Sequence, residues 1–469
     1  MMSRPAAFPV PLQNLAVTVH GFYWRFLTRG PGYRNALRVF RARNAWTRAQ
    51  WRRWTANRLK HVLTVSAASV PYYRETWTPT EKRAARAGSL MDIPCVERSA
   101  VQVDPWAFVI GRGGIRNGTK AWLANRFRRP PFCFTLHTSG SSGSPMATLW
   151  TRDEIVRSLA LREVRAAEPA GVSYGMRRAV MTARAYFRAD RPGEPVFRYD
   201  TAGHRLMLSP YHLQPSRVDD YVQALWRFRP GWLLGYAMSL GLLARMIRAQ
   251  GRPVPPLRAV ITISEPLWPH DRDALEAVFG CRVYEEYGMV ENVLYAVECP
   301  HGRLHVHPDA GIIEILRPDG TPCEPGEMGE IVATGLLRMF QPLLRYRTGD
   351  CATWAADPCE CGRPTAVLAR VDGRRDDILV TPEGRRVSRI HAIFVHQTRV
   401  REAQVIQDAV DHIRIRVVPM GGFNAGDEAD IRGQVHRIMG PHVRVTVERV
   451  ERIERGSSGK FRATVGMAV

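Results

Sequence analysis

Lysine is almost absent from this chain, occurring only at Lys60, Lys82, Lys120 and Lys460 among 469 residues. The other 63 of the 67 basic residues are arginine, and the net charge is +23. A surplus of this size ordinarily indicates a polyanionic partner. Because the skew is toward arginine alone, codon bias explains it more simply, and we predict no specific nucleic-acid partner.

Long apolar runs are also missing. No stretch of about eighteen uncharged apolar residues occurs, which argues against a membrane-spanning helix. The N-terminal stretch lacks the charged start, apolar run and cleavage site of a secretory signal, so we expect a cytoplasmic protein. Eight cysteines in so long a chain are too few for a disulfide framework.

The chain divides into three regions that differ in composition and periodicity. Residues 1–75 predict a helical N-terminal arm, closed by a turn at PYYRETW from Pro71. Its Arg/Trp-rich run could dock on the body, which we favour, or lie on an anionic membrane as a peripheral contact. Residues 76–373 form the predicted large domain and residues 374–469 a small mobile domain. A homodimer remains open.

The large region alternates apolar strands with helices, which predicts an α/β fold with a mainly parallel sheet covered by helices. The small region combines two or three strands with helices, which predicts an α+β domain. The GRRDD segment from Gly373 marks the boundary and predicts a hinge.

A Ser/Gly-rich loop, TSGSSGSP from Thr138, resembles a phosphate site, because glycines allow close backbone approach and hydroxyl and N–H groups can hold phosphate oxygens. It is not a Walker loop, since the terminal GK[ST] is missing. A flexible connector would have the same composition, so the loop alone is ambiguous.

Three later strand patterns run into turns that carry Glu265, Glu291 and Asp350. Carboxylates at strand ends suit a ligand with hydroxyl groups and a hard cation such as Mg²⁺. Each turn alone is also typical of an ordinary strand-to-loop connection.

In this order the motifs resemble the adenylate-forming superfamily, specifically its phenylacetate-CoA ligase branch with CapK-type proteins. The resemblance runs from SVPYYRE through TSGSSGSP, WLLGYAMSL, SEPL, YGMVE, YRTGD and GRRDD to SSGK. It implies a large nucleotide-binding domain with mixed sheets and a small C-terminal domain that rotates on a hinge. It also implies ATP, Mg²⁺ and coenzyme A as ligands.

The resemblance assigns roles to individual residues. Thr138 would bind the ATP phosphates together with the residues that follow it, namely Ser139, Gly140, Ser141, Ser142 and Gly143. The adenine and the wall of the nucleotide site would be lined by Ser264, Glu265, Pro266, Tyr287, Gly288 and Met289. Glu291 would bind Mg²⁺, and Asp350 would accept the ribose hydroxyls. The acyl pocket would include Gly235, Tyr236 and Ala237. Arg374 would contribute to the nucleotide site and would lie with Asp376 at the hinge.

Lys460 is the most specific candidate in the chain. ERGSSGKF presents one ammonium on a Gly/Ser loop, and acyl-adenylate formation develops negative charge between the carboxylate and the α-phosphate. A cation delivered there would stabilise the transition state. A solvated lysine near the end of the chain is the plainer alternative.

Four residues of types that bind metals lie in two short segments. Cys299 and His305 lie in one segment, and Cys359 and Cys361 lie in the other. Three thiolates and an imidazole satisfy tetrahedral Zn²⁺, and a site ligated only by protein would be structural. His301 and His307 are rival ligands, and free buried cysteines are the ordinary alternative.

The sequence departs from the family pattern at Ser144, where relatives usually carry lysine, and an arginine such as Arg152 could supply the missing charge. The expected activity is ATP-dependent activation of an aryl or other carboxylic acid to acyl-AMP, then transfer to coenzyme A or another thiol. One alternative transfers the acyl group to an amine, a hydroxyl or a carrier protein. The other is a degenerate nucleotide-binding or membrane-associated scaffold.

Overall fold

A computed structural model describes residues 9–111, 133–138, 146–182, 184, 187, 193–387, 393–394, 397, 399–455 and 461–467. It contains a large α/β domain preceded by a helical arm and followed by a small α+β domain, so the predicted fold class is confirmed. None of the helices in these ranges combines the length and the apolar character needed to cross a membrane.

The described helices are mostly short and several begin with side-chain caps. Thr47, Thr78 and Thr151 each accept a hydrogen bond from the backbone three residues on, and the residue there returns the bond in a capping box. The helices are Val10–Thr28, Pro31–Ala42, Arg48–Ser69, Pro71–Thr76, Pro79–Ala87, Arg98–Val103, Arg152–Arg162, Val218–Phe228, Ala237–Ala249, Pro269–Phe279 and Ala425–Met439.

The first three helices agree with the predicted arm, but the turn predicted at PYYRETW is wrong. Pro71–Thr76 is a helix, because Pro71 occupies its first turn, where a missing N–H costs nothing. Tyr73, within this helix, is fully buried, and its hydroxyl donates a hydrogen bond to the carbonyl of Pro342 at 3.0 Å. The second half of the arm is therefore docked on the body.

Twelve strands form one sheet in the large domain, and a separate hairpin, β1 with β2, carries the Ser/Gly loop. In chain order the strands are β1 Cys133–His137, β2 Ala147–Thr151, β3 Arg178–Met181, β4 Phe197–Asp200, β5 Arg205–Leu208, β6 Trp232–Tyr236, β7 Ala259–Ile263, β8 Val283–Gly288, β9 Tyr295–Glu298, β10 Leu304–Val306, β11 Gly311–Leu316, β12 Met328–Gly335, β13 Tyr346–Trp354 and β14 Val367–Arg374. The order across the sheet is β11-β12-β13-β14-β10-β9-β8-β7-β6-β3-β5-β4.

Only the run β8-β7-β6-β3-β5 is parallel, so the expectation of a mainly parallel sheet is wrong. The other neighbours pair antiparallel, because short turns rather than helices connect most of the strands after β8. The parallel half nevertheless places the carboxyl ends of β5, β6, β7 and β8 at one edge of the sheet, where binding sites of such folds lie.

The small domain has its own sheet and core. Its strands are β15 Leu379–Val380, β16 Arg386–Val387, β17 Val400–Ala409, β18 His412–Pro419, β19 Arg444–Arg449 and β20 Thr464–Val465. Four of them form a sheet in the order β19-β18-β17-β20, and the helix Ala425–Met439 buries Ile431, Val435 and Met439 in a core with the sheet.

Candidate active site

The Ser/Gly loop is closed at its base by the hairpin β1–β2. Two hydrogen bonds join Thr138 to Met146. The N–H of Thr138 donates to the carbonyl of Met146, and the N–H of Met146 donates to Thr138 Oγ1, both at 2.9 Å. The predicted phosphate-binding residues between them, Ser139 to Gly143, lie outside the described residues. The buried Thr138 fixes where that loop leaves the body.

Arg98 is a residue of this site that sequence reasoning missed. Its Nη2 donates to Thr138 Oγ1 at 2.8 Å, and its Nη1 lies 3.2 Å from Glu291 Oε1. The side chain is largely buried, so the charge pair acts with little screening by water. No motif marks Arg98, and the signal in the sequence is only an arginine at the start of a short helix near the loop.

Glu291 lies buried at the turn after β8, where the structure brings it together with the base of the Ser/Gly loop. The hydroxyl of Tyr346 donates to Glu291 Oε1 at 3.2 Å, and Arg338 Nη1 donates to the carbonyl of Glu291 at 2.8 Å. Burial, and then the charge of Glu291, raises the pKa of Tyr346, so the phenol remains a donor at neutral pH.

A second polar cluster joins the ends of β8 and β14 to the middle of β13, where Asp350 lies within the strand and not at the turn expected from the sequence. The hydroxyl of Tyr287 donates to Asp350 Oδ2 at 2.7 Å, and Arg374 Nε lies 3.0 Å from Asp350 Oδ1. The charge of Asp350 raises the pKa of Arg374, while burial and then Asp350 raise the pKa of Tyr287 well above its usual value. Three of the residues predicted for the nucleotide site therefore meet in one place.

Glu265, at the turn after β7, connects the two domains. Its Oε2 accepts a hydrogen bond from the backbone N–H of Met238 at 3.0 Å, and its Oε1 accepts one from the N–H of Phe461, also at 3.0 Å. Ser264 has a φ of +67°, a left-handed conformation that is costly for a serine and is found where function constrains the backbone. Phe461 directly follows Lys460, which lies outside the described residues.

The predicted acyl-pocket residues are all buried at the end of β6. A Cβ on Gly235 would stand 2.6 Å from the carbonyl oxygen of Met181 in β3, so this glycine is required for the close packing of the two strands. Tyr236 and Ala237 lead into the next helix beside Met238. Contact of these residues with an acid stays a prediction.

The remaining predicted residues lie at the same edge. Pro266 follows Glu265, Gly288 ends β8, and Met289 packs against the main core. Gly288 and Met289 thus separate Tyr287 from Glu291. The backbone of Asp376 lies in a short turn after β14, but its side chain is outside the described part of the structure.

Sequence reasoning also overlooked a buried pair after β5. Ser209 Oγ and His212 Nδ1 are 2.7 Å apart, at the same sheet edge as Ser264 and Glu265. A histidine in a turn directly after an apolar strand was the signal. The Nε of Arg152 donates to the carbonyl of Leu27 at 2.7 Å, and because Ser144 lies outside the described residues, the role of Arg152 in place of the missing lysine stays a prediction.

A separate cluster brings together Cys299, His305, Cys359 and Cys361, whose ligand atoms all lie within 4.8 Å of one another. Cys299 Sγ and Cys359 Sγ are 3.6 Å apart, and Cys361 Sγ is 3.2 Å from His305 Nε2. The edges of a tetrahedron around Zn²⁺ with bonds of about 2.3 Å would be about 3.8 Å. The observed spacing fits that geometry.

The surroundings of the cluster also fit a metal site. His305 Nδ1 lies 3.0 Å from Thr365 Oγ1, which fixes the ring so that Nε2 faces the thiols. The N–H groups of His301 and Cys361 donate to Cys299 Sγ at 3.3 Å and to Cys359 Sγ at 3.5 Å. His301 and His307, the rival ligands, are not among the four residues that converge.

Two family models match the chain. The model of the AMP-binding enzyme covers residues 46–340, and that of the CapK C-terminal domain covers residues 379–466. Protein CapK of Staphylococcus aureus is 26% identical over 287 residues, which are 60% of this chain and 62% of that protein. Phenylacetate-coenzyme A ligase of Thermus thermophilus is 27% identical over 312 residues, 64% of each chain. The chain thus spans less than two thirds of both relatives.

Solved structures share the fold. A 2-hydroxyisobutyryl-CoA ligase in its postadenylation state, bound to an acyl-AMP, aligns with a TM-score of 0.66 at 20% identity, covering 88% of this chain and 89% of that one. The same ligase in its thioesterification state aligns over the same shares with a TM-score of 0.53 at 19% identity.

Proposed function

The chain belongs to the AMP-binding enzyme family, in the branch of the CapK and phenylacetate-CoA ligase relatives, and we propose that it activates a carboxylic acid with ATP. The product of this first step is an acyl-adenylate, with release of pyrophosphate. A thiol then takes the acyl group, and coenzyme A is the proposed acceptor, as the names of relatives suggest. The observation that carries the proposal is the hydrogen bond from Phe461, the neighbour of Lys460, to Glu265, one of the residues proposed to line the nucleotide site.

In the first step, a carboxylate oxygen of the acid attacks the α-phosphorus, and the bond to the bridging oxygen of pyrophosphate breaks. The Lys460 ammonium would stabilise the charge that develops between them. In the second step, the thiolate sulfur attacks the acyl carbonyl, AMP leaves, and the thiol proton passes to solvent.

The proposed site residues would hold the nucleotide from three sides. Asp350, positioned by Tyr287 and Arg374, would accept the ribose hydroxyls. Thr138 would hold the phosphates with Ser139, Gly140, Ser141, Ser142 and Gly143. The adenine would lie against the two turns that contain Ser264, Glu265, Pro266, Gly288 and Met289, while Gly235, Tyr236 and Ala237 would line the acyl pocket.

Mg²⁺ is the proposed partner of Glu291, where it would neutralise charge on the phosphates. A buried carboxylate supplies the hard oxygen that Mg²⁺ prefers, and the base of the Ser/Gly loop is within reach of the same Arg98 side chain. Mg²⁺ held by Glu291 would counter the phosphate charge together with the guanidinium of Arg98.

Zn²⁺ is the proposed occupant of the cluster of three cysteines and one histidine. All four positions of a tetrahedron would be filled by protein, so the ion would be structural and would take no part in the reaction. It would tie the segment around Cys359 and Cys361 to β10 and the end of β9.

The role of Lys460 is tested by Lys460→Ala. Because the ammonium would act in the transition state rather than in binding, we expect acid-dependent exchange of pyrophosphate into ATP to fall at least about 10²-fold. ATP binding, measured by calorimetry, should survive. Lys60→Ala, which removes an exposed lysine of the helical arm, should leave both quantities unchanged. Exchange close to that of wild type in Lys460→Ala would refute the assignment.

The acceptor is tested by trapping. A panel of aryl and aliphatic acids is first screened by pyrophosphate exchange, and the best acid is then incubated with ATP and hydroxylamine, with and without coenzyme A. We expect coenzyme A to divert the product from the hydroxamate to a thioester. If coenzyme A leaves the product unchanged, the acceptor is an amine, a hydroxyl or a carrier protein instead.

A further inference from the structure

The helix Val10–Thr28 is amphipathic, but its polar side faces the body and its apolar side faces outward, the reverse of an ordinary surface helix. Its side toward the body carries mainly polar or small residues, with Gln13, Gly21 and Thr28 buried beside Leu27. Gln13 Oε1 accepts a hydrogen bond from the fully buried Arg198 at 2.7 Å. Asn14 Oδ1 accepts one at 3.0 Å from the N–H of Tyr199, in the edge strand β4.

These contacts fix the orientation of the helix. A Cβ on Gly21 would come within 2.2 Å of Asp200 Oδ1, so the helix can lie this close to β4 only because a glycine is present. Asp200 is itself held by Arg205, whose Nε donates to it at 2.6 Å. The packing of the polar side therefore determines which side faces outward.

The outward side is apolar. Six large hydrophobic side chains recur at helical spacing and are between 51% and 81% exposed, namely Leu12, Leu15, Val19, Phe22, Tyr23 and Phe26. Monomeric soluble proteins rarely present so many large apolar side chains in one continuous stripe. Such a stripe normally marks a surface that contacts another apolar phase.

The charged residues of the N-terminal segment have one sign. No aspartate or glutamate precedes Glu75, whereas thirteen arginines and lysines lie in residues 1–74. Arg25 is exposed on the same helix, with Nη1 3.4 Å from the carbonyl of Ala202, and Arg29, which follows the helix, lies 3.8 Å from Glu163. An apolar helix face in an arginine-rich segment without acidic residues is the pattern of helices that lie in the interface of an anionic bilayer.

We propose that the helix Val10–Thr28 binds the surface of an anionic lipid bilayer. Its apolar stripe would enter the boundary between headgroups and acyl chains, while the nearby arginines would contact lipid phosphates. A second copy of the chain is a poorer occupant, because a symmetric dimer would bring two arm segments of the same positive charge together. The attachment would be peripheral.

The test uses the full chain and vesicles of phosphatidylcholine, alone or mixed with phosphatidylglycerol. In flotation assays we expect binding to the mixed vesicles, little binding to the neutral ones, and weaker binding as salt is raised. The double substitution Phe22→Ser with Phe26→Ser should weaken binding at least about tenfold, because two exposed aromatic rings no longer enter the lipid. The control Met91→Ser with Val410→Ser removes exposed hydrophobic side chains elsewhere and should bind like wild type.

Both variants should retain wild-type thermal unfolding, because none of the four substituted side chains is buried in the core. Absence of binding to anionic vesicles would overturn the proposal, and so would equal binding by the Phe22/Phe26 variant. A dimer of the wild type that the same variant dissociates, measured by sedimentation without lipid, would show that a second copy covers the stripe. None of these results depends on the proposed ligase activity.

Discussion

Single arginine residues hold the carboxylates of the candidate site in position. Arg98 pairs with Glu291, Arg374 pairs with Asp350, and Arg338 donates to the backbone of Glu291. A guanidinium can donate in two directions at once, which a lysine ammonium does less specifically. Arg98 uses this ability to link Glu291 to Thr138, so we expect it to supply the charge that relatives place at the position of Ser144.

We predict that Arg98→Ala reduces pyrophosphate exchange about 10²-fold, the usual effect of removing one donor to a developing charge. Arg98→Lys keeps the charge but loses the second direction of donation, so it should recover only part of the activity. Arg83→Ala, which removes an exposed arginine of a neighbouring helix, is the matched control. A rise in the KM for ATP alone, with kcat unchanged, would show that Arg98 serves binding rather than catalysis.

Two carboxylates of the site were predictable because each follows an apolar strand at a turn. Glu265 follows β7 and Glu291 follows β8, whereas Asp350, for which a turn was also expected, lies within β13. Arg98 was not predictable, because it lies about forty residues before Thr138 in a short helix without a motif. Arg152 begins a helix capped by Thr151 and donates to the carbonyl of Leu27, a local context that the sequence did not indicate.

Strands and helices with regular periodicity were predicted well, whereas their connections were not. The alternating pattern HIRIRVVP predicts a strand and coincides with β18, and the sequence before Phe279 predicts a helix, which the structure shows as Pro269–Phe279. The antiparallel half of the sheet was missed, since pairing direction follows from three-dimensional connections and not from periodicity. The turn expected at Pro71 failed because proline also suits the start of a helix.

The loop that carries Cys359 and Cys361 supplies two of the four proposed zinc ligands. We expect purified protein to contain about one equivalent of zinc, and Cys361→Ser to lose most of it. Since metal binding contributes to folding free energy, the variant should lose at least about 2 kcal/mol of unfolding free energy in urea titration. Cys281→Ser, outside the cluster, should retain both the zinc and the stability. Wild-type protein with less than about one-quarter equivalent of zinc would exclude the site.

The two domains of the molecule meet where Lys460 would act. Met238 of the large domain packs against a cluster formed by Val418, Ile453 and Phe461 of the small domain. Together with the hydrogen bond from Phe461 to Glu265, this packing supports the proposal that Lys460 acts beside the turn after β7.

An ion pair next to Lys460 should stabilise this arrangement. Arg462 contacts Asp377 through Nε at 2.7 Å and Nη2 at 2.6 Å, and so joins the end of the lysine loop to the predicted hinge. We predict that Arg462→Ala and Asp377→Ala each lower pyrophosphate exchange about tenfold, because a two-point charge pair is lost. The double variant should be no worse than either single one, since both remove the same interaction.

The rate of the transfer half-reaction distinguishes a role of this ion pair in positioning Lys460 from a role in the fold of the small domain. Starting from the preformed acyl-adenylate, transfer to coenzyme A does not require Lys460 in the proposed mechanism, so the Arg462 and Asp377 variants should keep most of that rate. Arg452→Ala, which breaks an exposed pair with Glu454, should affect neither half-reaction. If both half-reactions fall equally in the Arg462 variant, the ion pair supports the fold of the small domain and does not position Lys460.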